Sequence, residues 1–308
     1  MTVKAQFPQE HHDGAFVRQA DAFRDWIRAD GSTPYPPEAG RYHLYVSLAC
    51  PWAHRTIIMR ALKRLEPAIG MTIADPVRDD RGWRLSDGDP VNGFEFLAQA
   101  YHATDPSYHR RVTVPVLWDT KTKRIVSNSD DDILRMFETE FEALAGDHTD
   151  YFPQRFRAEI DELNHWMFET INDGVYRAGF ATKQATYERA AFRVFESLDE
   201  MERRLETRRY LFGAAPVETD WRFFVTLVRF DPVYHGHFKC NLRRIRDYPN
   251  LYGYLRDLYQ YDRVSATVDF DHIKRHYYIT HDDINPTRIV PIGPLQDLYS
   301  AHGRERLG

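Results

Sequence analysis

The residue most able to do chemistry is Cys50, in the stretch "YHLYVSLACPWAHR" from Tyr42 to Arg55. It closes an apolar run and stands directly before Pro51. A cysteine between a strand and a helix occupies the helix N-cap, and proline suits the first helical position because its missing N–H costs nothing there. The free N–H groups and the positive end of the dipole then point at the sulfur and favour thiolate over thiol. A lone cysteine beside a strand is otherwise a small buried hydrophobe; the order strand, Cys, Pro, helix favours the reactive reading. Cys240, the other of two cysteines, lies in "HFKCN" without such a setting and reads as structural. Ala53 stands where a Cys-x-x-Cys partner would be, so no intramolecular disulfide cycle can run at this site. The partner sulfur must come from another molecule, most simply a small thiol.

The flanking elements have to position that sulfur. "YHLYVSL" reads as a buried strand, "PWAHRTIIMRALKRLE" as a helix with basic residues opposite its apolar stripe, and "GMTIADPV" as the next strand. A polar insertion runs from Arg78 to Tyr108. "RVTVPVLWD" and "RIVS" then form a hairpin through "TKTK", and "SDDDILRMFETEFEAL" a helix opened by a Ser/Asp cap. β-α-β followed by β-β-α, with a cysteine at the first helix start, is the thioredoxin-like plan. By analogy with such folds, Pro115 of "VTVPV" is cis and faces the cysteine, and Val114 offers backbone groups to a thiol's cysteinyl part. Beyond "GDHTDYFP" the apolar stripes are helical almost to the end. The expected organisation is an N-terminal arm at 1–41, a thioredoxin-like thiol-binding domain at 42–147, and an all-helical, substrate-binding domain with a C-terminal tail at 148–308.

Bulk properties narrow the classes. A length of 308 residues suits two ordinary domains, and 43% hydrophobic residues supply their cores. A net charge of −5 leaves no basic excess for nucleic acid or anionic lipid. No apolar run is long enough to span a bilayer, the N-terminus lacks a signal-like apolar core, and two cysteines make no disulfide framework. The expected compartment is the reducing cytoplasm. His235 and His237 of "YHGHFKC" lack a companion ligand pair at zinc-site spacing, so an aromatic pocket wall is expected there and no metal.

At this point a family comes into view. "YVSLACPWAHRTIIMRALKRLE", "RRVTVPVLWD", "RIVSN", "NDGVYRAGFA", "LVRFDPVYHGHFKCN" and "HYYITHDDINPTRIVPIGP" resemble the glutathionyl-hydroquinone reductases, the Xi class of glutathione transferases, in order from Tyr42 to Pro294. The resemblance implies the glutathione transferase fold, a thioredoxin-like α/β domain plus an all-α C-terminal domain, assembled as a homodimer through its helical parts. It also implies a reaction in which Cys50 attacks the sulfur of a hydroquinone thioether of glutathione, the hydroquinone leaves with a proton, and a second glutathione resolves the mixed disulfide. Proton donors then fall on Tyr176 and on the pair Tyr277 and Tyr278, of which Tyr278 is preferred. Trp83 borders the thiol site, Val114 and Pro115 hold the thiol, and Trp52, Tyr234 and His235 line the substrate pocket.

One departure stands out. The family's hairpin-to-helix turn reads Glu-Ser after the Asn and binds the γ-glutamyl end of glutathione; here those positions are Ser129 and Asp130 in "SNSDDD". A carboxylate at Asp130 would repel the γ-glutamyl carboxylate by about 4 kcal/mol at ~4 Å and an effective dielectric of 20. This leaves three readings: glutathione with Asp130 meeting the ammonium; a hydroxyl-rich thiol such as mycothiol, which the acidic run through Asp131 and Asp132 would suit; or a binding protein that has lost catalysis. Thr280 in place of a usual Ser and Arg288 in place of Gly are smaller departures.

Overall fold

The computed structural model describes residues 8–307. Its chain divides into two compact units, one of residues 20–149 and 262–276, the other of the described residues up to 19 with 150–261 and 277 onward.

The first unit is built on a four-stranded mixed sheet. Strands β3 (Tyr42–Val46) and β4 (Ile69–Ile73) run parallel in register Tyr42↔Ile69 to Val46↔Ile73. Strand β5 (Val116–Asp119) is antiparallel to β3, and β6 (Arg124–Ser127) is antiparallel to β5, giving the order β4-β3-β5-β6. All five residues of β3 are buried, as befits a central strand with both faces covered. Helix α1 (Pro51–Leu62) makes the crossover from β3 to β4 and packs beside α3 (Asp130–Thr139), while α2 (Ala98–Thr104) lies against β6. This is the thioredoxin-like arrangement. Helix α1 differs from the expected amphipathic helix: His54 and Arg55 are buried with its apolar residues. His54 Nε2 lies 2.7 Å from Thr267 Oγ1 and so has a partner inside.

The arm is not a separate element. Residues from Ala20 belong to this first unit, where Asp25 N donates to Val126 O at 3.0 Å and Asn128 N to Phe23 O at 3.0 Å, capping the outer edge at β6. Segment 262–276 also falls here and not with the helical residues around it in sequence, held by Thr267, by Arg263 on Glu66 at 2.5 Å, and by His276 Nδ1 at 2.7 Å from Pro76 O. These bonds join residues far apart in sequence, which local patterns do not reveal.

The second unit is helical. It contains a short hairpin of β1 (His11–His12) and β2 (Ala15–Phe16), then α4 (Arg157–Met167), α5 (Gly174–Gly179), α6 (Gln184–Arg204), α7 (Glu218–Arg229) and α8 (Pro249–Gln260). Helix α9 (Phe270–Thr280) contributes its residues from Tyr277. Every residue of α7 is buried, and α7 packs against α4 and α8 as the core of the bundle. Asp220 secures its start, accepting from Val217 N at 2.7 Å, Leu211 N at 3.0 Å and Tyr254 Oη at 2.6 Å. Two π-helical turns, Phe168–Asn172 and Phe230–Tyr234, interrupt the regular ladder. Such turns add a residue and re-aim the side chains beyond them: the first precedes α5 with Tyr176, and the second ends at Tyr234.

Candidate active site

The residues singled out for chemistry divide between the two units. In the first, Cys50 is the N-cap of α1 with Pro51 at the first helical position, and its own side chain makes no cap bond. The sulfur is partly exposed and lies 3.6 Å from the carbonyl oxygen of Val114. The Val114–Pro115 bond is cis. The loop that carries it is fastened from behind: Tyr101 Oη donates to Thr113 O at 2.9 Å, and Asn128 Nδ2 to Thr113 Oγ1 at 3.2 Å. A nucleophile, a helix N-terminus and the Val114 carbonyl are thus brought together by elements more than sixty residues apart in sequence.

Trp83 is 5% exposed and stacks on His276 with ring centroids 5.1 Å apart at 21°. Trp52 packs under Arg55, whose guanidinium carbon is 4.6 Å from its ring centroid. Ser129 is the N-cap of α3, its Oγ accepting from Asp132 N at 3.3 Å. Asp130 is not an isolated charge: Arg55 Nη1 donates to its Oδ2 at 2.8 Å and reaches Asp131 Oδ1 at 3.4 Å. Asp132 is gripped by Arg24 through two bonds of 2.7 Å. The acidic run is therefore met by two guanidinium groups. The repulsion expected from a carboxylate at Asp130 is offset by Arg55, which belongs to the helix expected to carry basic residues opposite its apolar stripe.

In the second unit, three phenols form one cluster. Tyr176 Oη and Tyr277 Oη are 2.5 Å apart, and Tyr234 Oη is 3.1 Å from Tyr277 Oη. Burial and the neighbouring phenols hold the Tyr277 hydroxyl well above the usual tyrosine range, so it stays protonated. Tyr278, the preferred member of the pair on sequence grounds, instead donates to Pro232 O at 3.2 Å. Tyr234, expected in the pocket wall, is fully buried and serves Tyr277 from behind. His235 is half-buried, while His237 is buried with Nε2 3.2 Å from His281 Nδ1. Burial lowers the His237 pKa to about 3, so its ring is neutral. Burial pushes the Cys240 thiol up to about 12, the behaviour of an inert structural cysteine. Among the described residues no group of three or more His, Cys, Asp or Glu side chains could hold a metal ion. No helix among them is long and apolar enough to cross a membrane.

Residues 49–140 match the family model of the glutathione S-transferase N-terminal domain, and residues 184–257 that of the C-terminal domain. Glutathionyl-hydroquinone reductase YqjG of Escherichia coli K12 is 52% identical over 305 residues, covering 95% of this chain and 93% of its own. Its glutathione-bound structure aligns with a TM-score of 0.89 over 92% of this chain and 96% of that one. Glutathionyl-hydroquinone reductase PcpF of Sphingobium chlorophenolicum is 46% identical over 96% of this chain and 94% of its own. The Xi transferase of Phanerochaete chrysosporium is 48% identical, with a TM-score of 0.88 over 91% of this chain and 98% of that one.

The chain belongs to the Xi class of glutathione transferases.

At the turn where the resemblance implies Glu-Ser, Ser129 caps α3 and Asp130 pairs with Arg55. Sequence inspection missed Arg55 and the supporting Tyr101 and Asn128. Arg55 sits on α1 five residues after Cys50, and its partners lie some 75 residues further on.

Proposed function

We propose that this Xi-class transferase is a glutathione-dependent reductase that removes glutathione from glutathionyl-hydroquinones. The observation that carries the reading is Cys50: an N-cap thiol with proline at the first helical position, 3.6 Å from the carbonyl that precedes a cis proline. The near full-length relation to two glutathionyl-hydroquinone reductases supports the substrate class.

The reaction runs in two steps. The Cys50 thiolate attacks the sulfur of the conjugate, forming an S–S bond as the aryl C–S bond breaks. The electron pair of that bond stays on the ring carbon, which takes a proton and leaves as the hydroquinone; the sulfur is oxidised and the carbon reduced. A second glutathione, as thiolate, attacks the mixed disulfide, giving glutathione disulfide and the Cys50 thiolate. Overall, conjugate plus glutathione gives hydroquinone plus glutathione disulfide, with ping-pong kinetics. The N-terminus of α1 favours the thiolate at both ends of the cycle. Tyr176 and Tyr277 are the proton donors in this reading, since both are phenols already sharing a hydrogen bond.

Glutathione is the thiol favoured here, because Arg55 offsets the charge of Asp130 that argued against a γ-glutamyl carboxylate. The test is turnover of a menadiol–glutathione conjugate with glutathione as reductant. Cys50→Ser abolishes turnover, and wild-type-like activity in that variant would overturn the mechanism. No turnover with glutathione, but turnover of the mycothiol conjugate with mycothiol, would move the assignment to the other thiol. Failure with both, with Cys50 slow to alkylate at neutral pH, would leave a binding protein.

A further inference from the structure

The residues before Ala20 bring a cation to the phenol cluster of the helical unit. The β1–β2 hairpin is docked there without it: Phe16 packs on Phe180 at 5.3 Å, Thr182 N donates to Gly14 O at 3.1 Å, and Lys183 pairs with Asp13. Gly14 has φ +83°, and a Cβ there would lie 2.7 Å from Lys183 Cγ, so only glycine permits this approach. Two residues beyond the hairpin, Arg18 Nε donates to Asp173 Oδ1 at 2.7 Å, while Arg177 Nε donates to Asp173 Oδ2 at 2.9 Å. Asp173 is buried and directly precedes α5, which carries Tyr176. The guanidinium carbon of Arg18 stands 4.9 Å from the centroid of the Tyr176 ring. One cation therefore lies over the ring whose hydroxyl is 2.5 Å from that of Tyr277.

We propose that Arg18 is a positioning residue for proton delivery: anchored by Asp173, it fixes the Tyr176 ring against Tyr277 and stabilises charge that builds on the phenol as its proton leaves. This rests on the assignment of Tyr176 as a donor in the reductase reaction. The guanidinium also stands 5.2 Å from the ring of Phe16 in the hairpin, the contact a staple would use; the stack at 4.9 Å on Tyr176 ties Arg18 to the donor as well. Glu10 and Glu169 also face this group, Glu10 through its field on Arg18 and Glu169 3.6 Å from Arg177.

Turnover of the menadiol–glutathione conjugate is measured for Arg18→Met, Arg18→Lys, Tyr176→Phe and the Arg18→Met/Tyr176→Phe double variant. Arg18 is partly buried, 21% exposed, and a cation–π contact between the exposed and desolvated cases corresponds to about tenfold in rate, so Arg18→Met loses about tenfold in kcat with KM for glutathione unchanged, and Arg18→Lys recovers part of it. In the Tyr176→Phe background Arg18→Met costs nothing further, because the group it serves is gone. Unchanged kcat in Arg18→Met, or the same loss with and without Tyr176, overturns the role. Absence of turnover in the wild type would show instead that the reaction assignment has failed. Urea unfolding then judges the contact independently, with Tyr176→Leu to remove the ring: the midpoints of Arg18→Met and Tyr176→Leu are non-additive if the two groups couple, and additive midpoints overturn the contact.

Discussion

Replacing Tyr277 by phenylalanine removes one oxygen from the centre of the phenol cluster and leaves the ring. The ring packs against Phe238 at 5.6 Å and His281 at 5.5 Å, so little apolar contact is lost. Two hydrogen bonds go, to Tyr176 at 2.5 Å and Tyr234 at 3.1 Å, in a site where Tyr277 is 1% exposed. At about 1 kcal/mol net for each bond, the variant is less stable by about 2 kcal/mol. For a unit of this size that lowers Tm by roughly 4–8 °C. A lost proton donor lowers kcat by about 10²-fold, with KM for glutathione unchanged because the thiol is held elsewhere in this reading. Differential scanning calorimetry and steady-state kinetics measure the two effects on one preparation, with Tyr278→Phe as the companion. A Tm within about 1 °C of wild type would refute the claim that these bonds hold the cluster. Full activity in Tyr277→Phe, together with a crippled Tyr278→Phe, would refute the assignment of the donor.

Two further substitutions probe the same packing. A Cβ at Gly179 would lie 2.2 Å from the ring of Phe238, which is fully buried and stacked on Tyr234 at 5.6 Å, so Gly179→Ala destabilises by about 1–3 kcal/mol in urea unfolding and lowers activity by displacing the cluster. His237 has its pKa lowered to about 3 by burial, against about 6.5 unfolded; this contributes stability above the unfolded value and loses it as pH falls. The linkage amounts to about 2 kcal/mol between pH 7 and pH 5. His237→Phe should lose that share of the acid sensitivity, and an unchanged slope of stability against pH would show that His237 does not stay neutral.

Much of the first unit was legible because its signals are local. An apolar run, Cys50, Pro51 and a helical stripe lie side by side in sequence, and the hairpin of β5 and β6 is joined by four residues. The division into an arm and two contiguous domains was less so, since Thr267, Arg263 and His276 join the first unit through partners that no local pattern names.

What the sequence by itself determined was which groups are available to react: a thiol at a helix start with no second cysteine at Cys-x-x-Cys spacing, and many tyrosines. Tertiary structure alone decided which groups meet. Tyr277 and Tyr278 are neighbours on one helix and point in different directions, so packing, not composition, put the first against Tyr176 and the second on Pro232. Arg55 reads as one more exposed cation until α3 is laid beside α1 and its carboxylates close on the guanidinium. Arg18 is separated from Asp173 by 155 residues, and only folding of the hairpin against α5 brings its charge to Tyr176. Side-chain identity sets what each group can do; the direction in which the backbone aims it, and the partner it then meets, are properties of the packed chain.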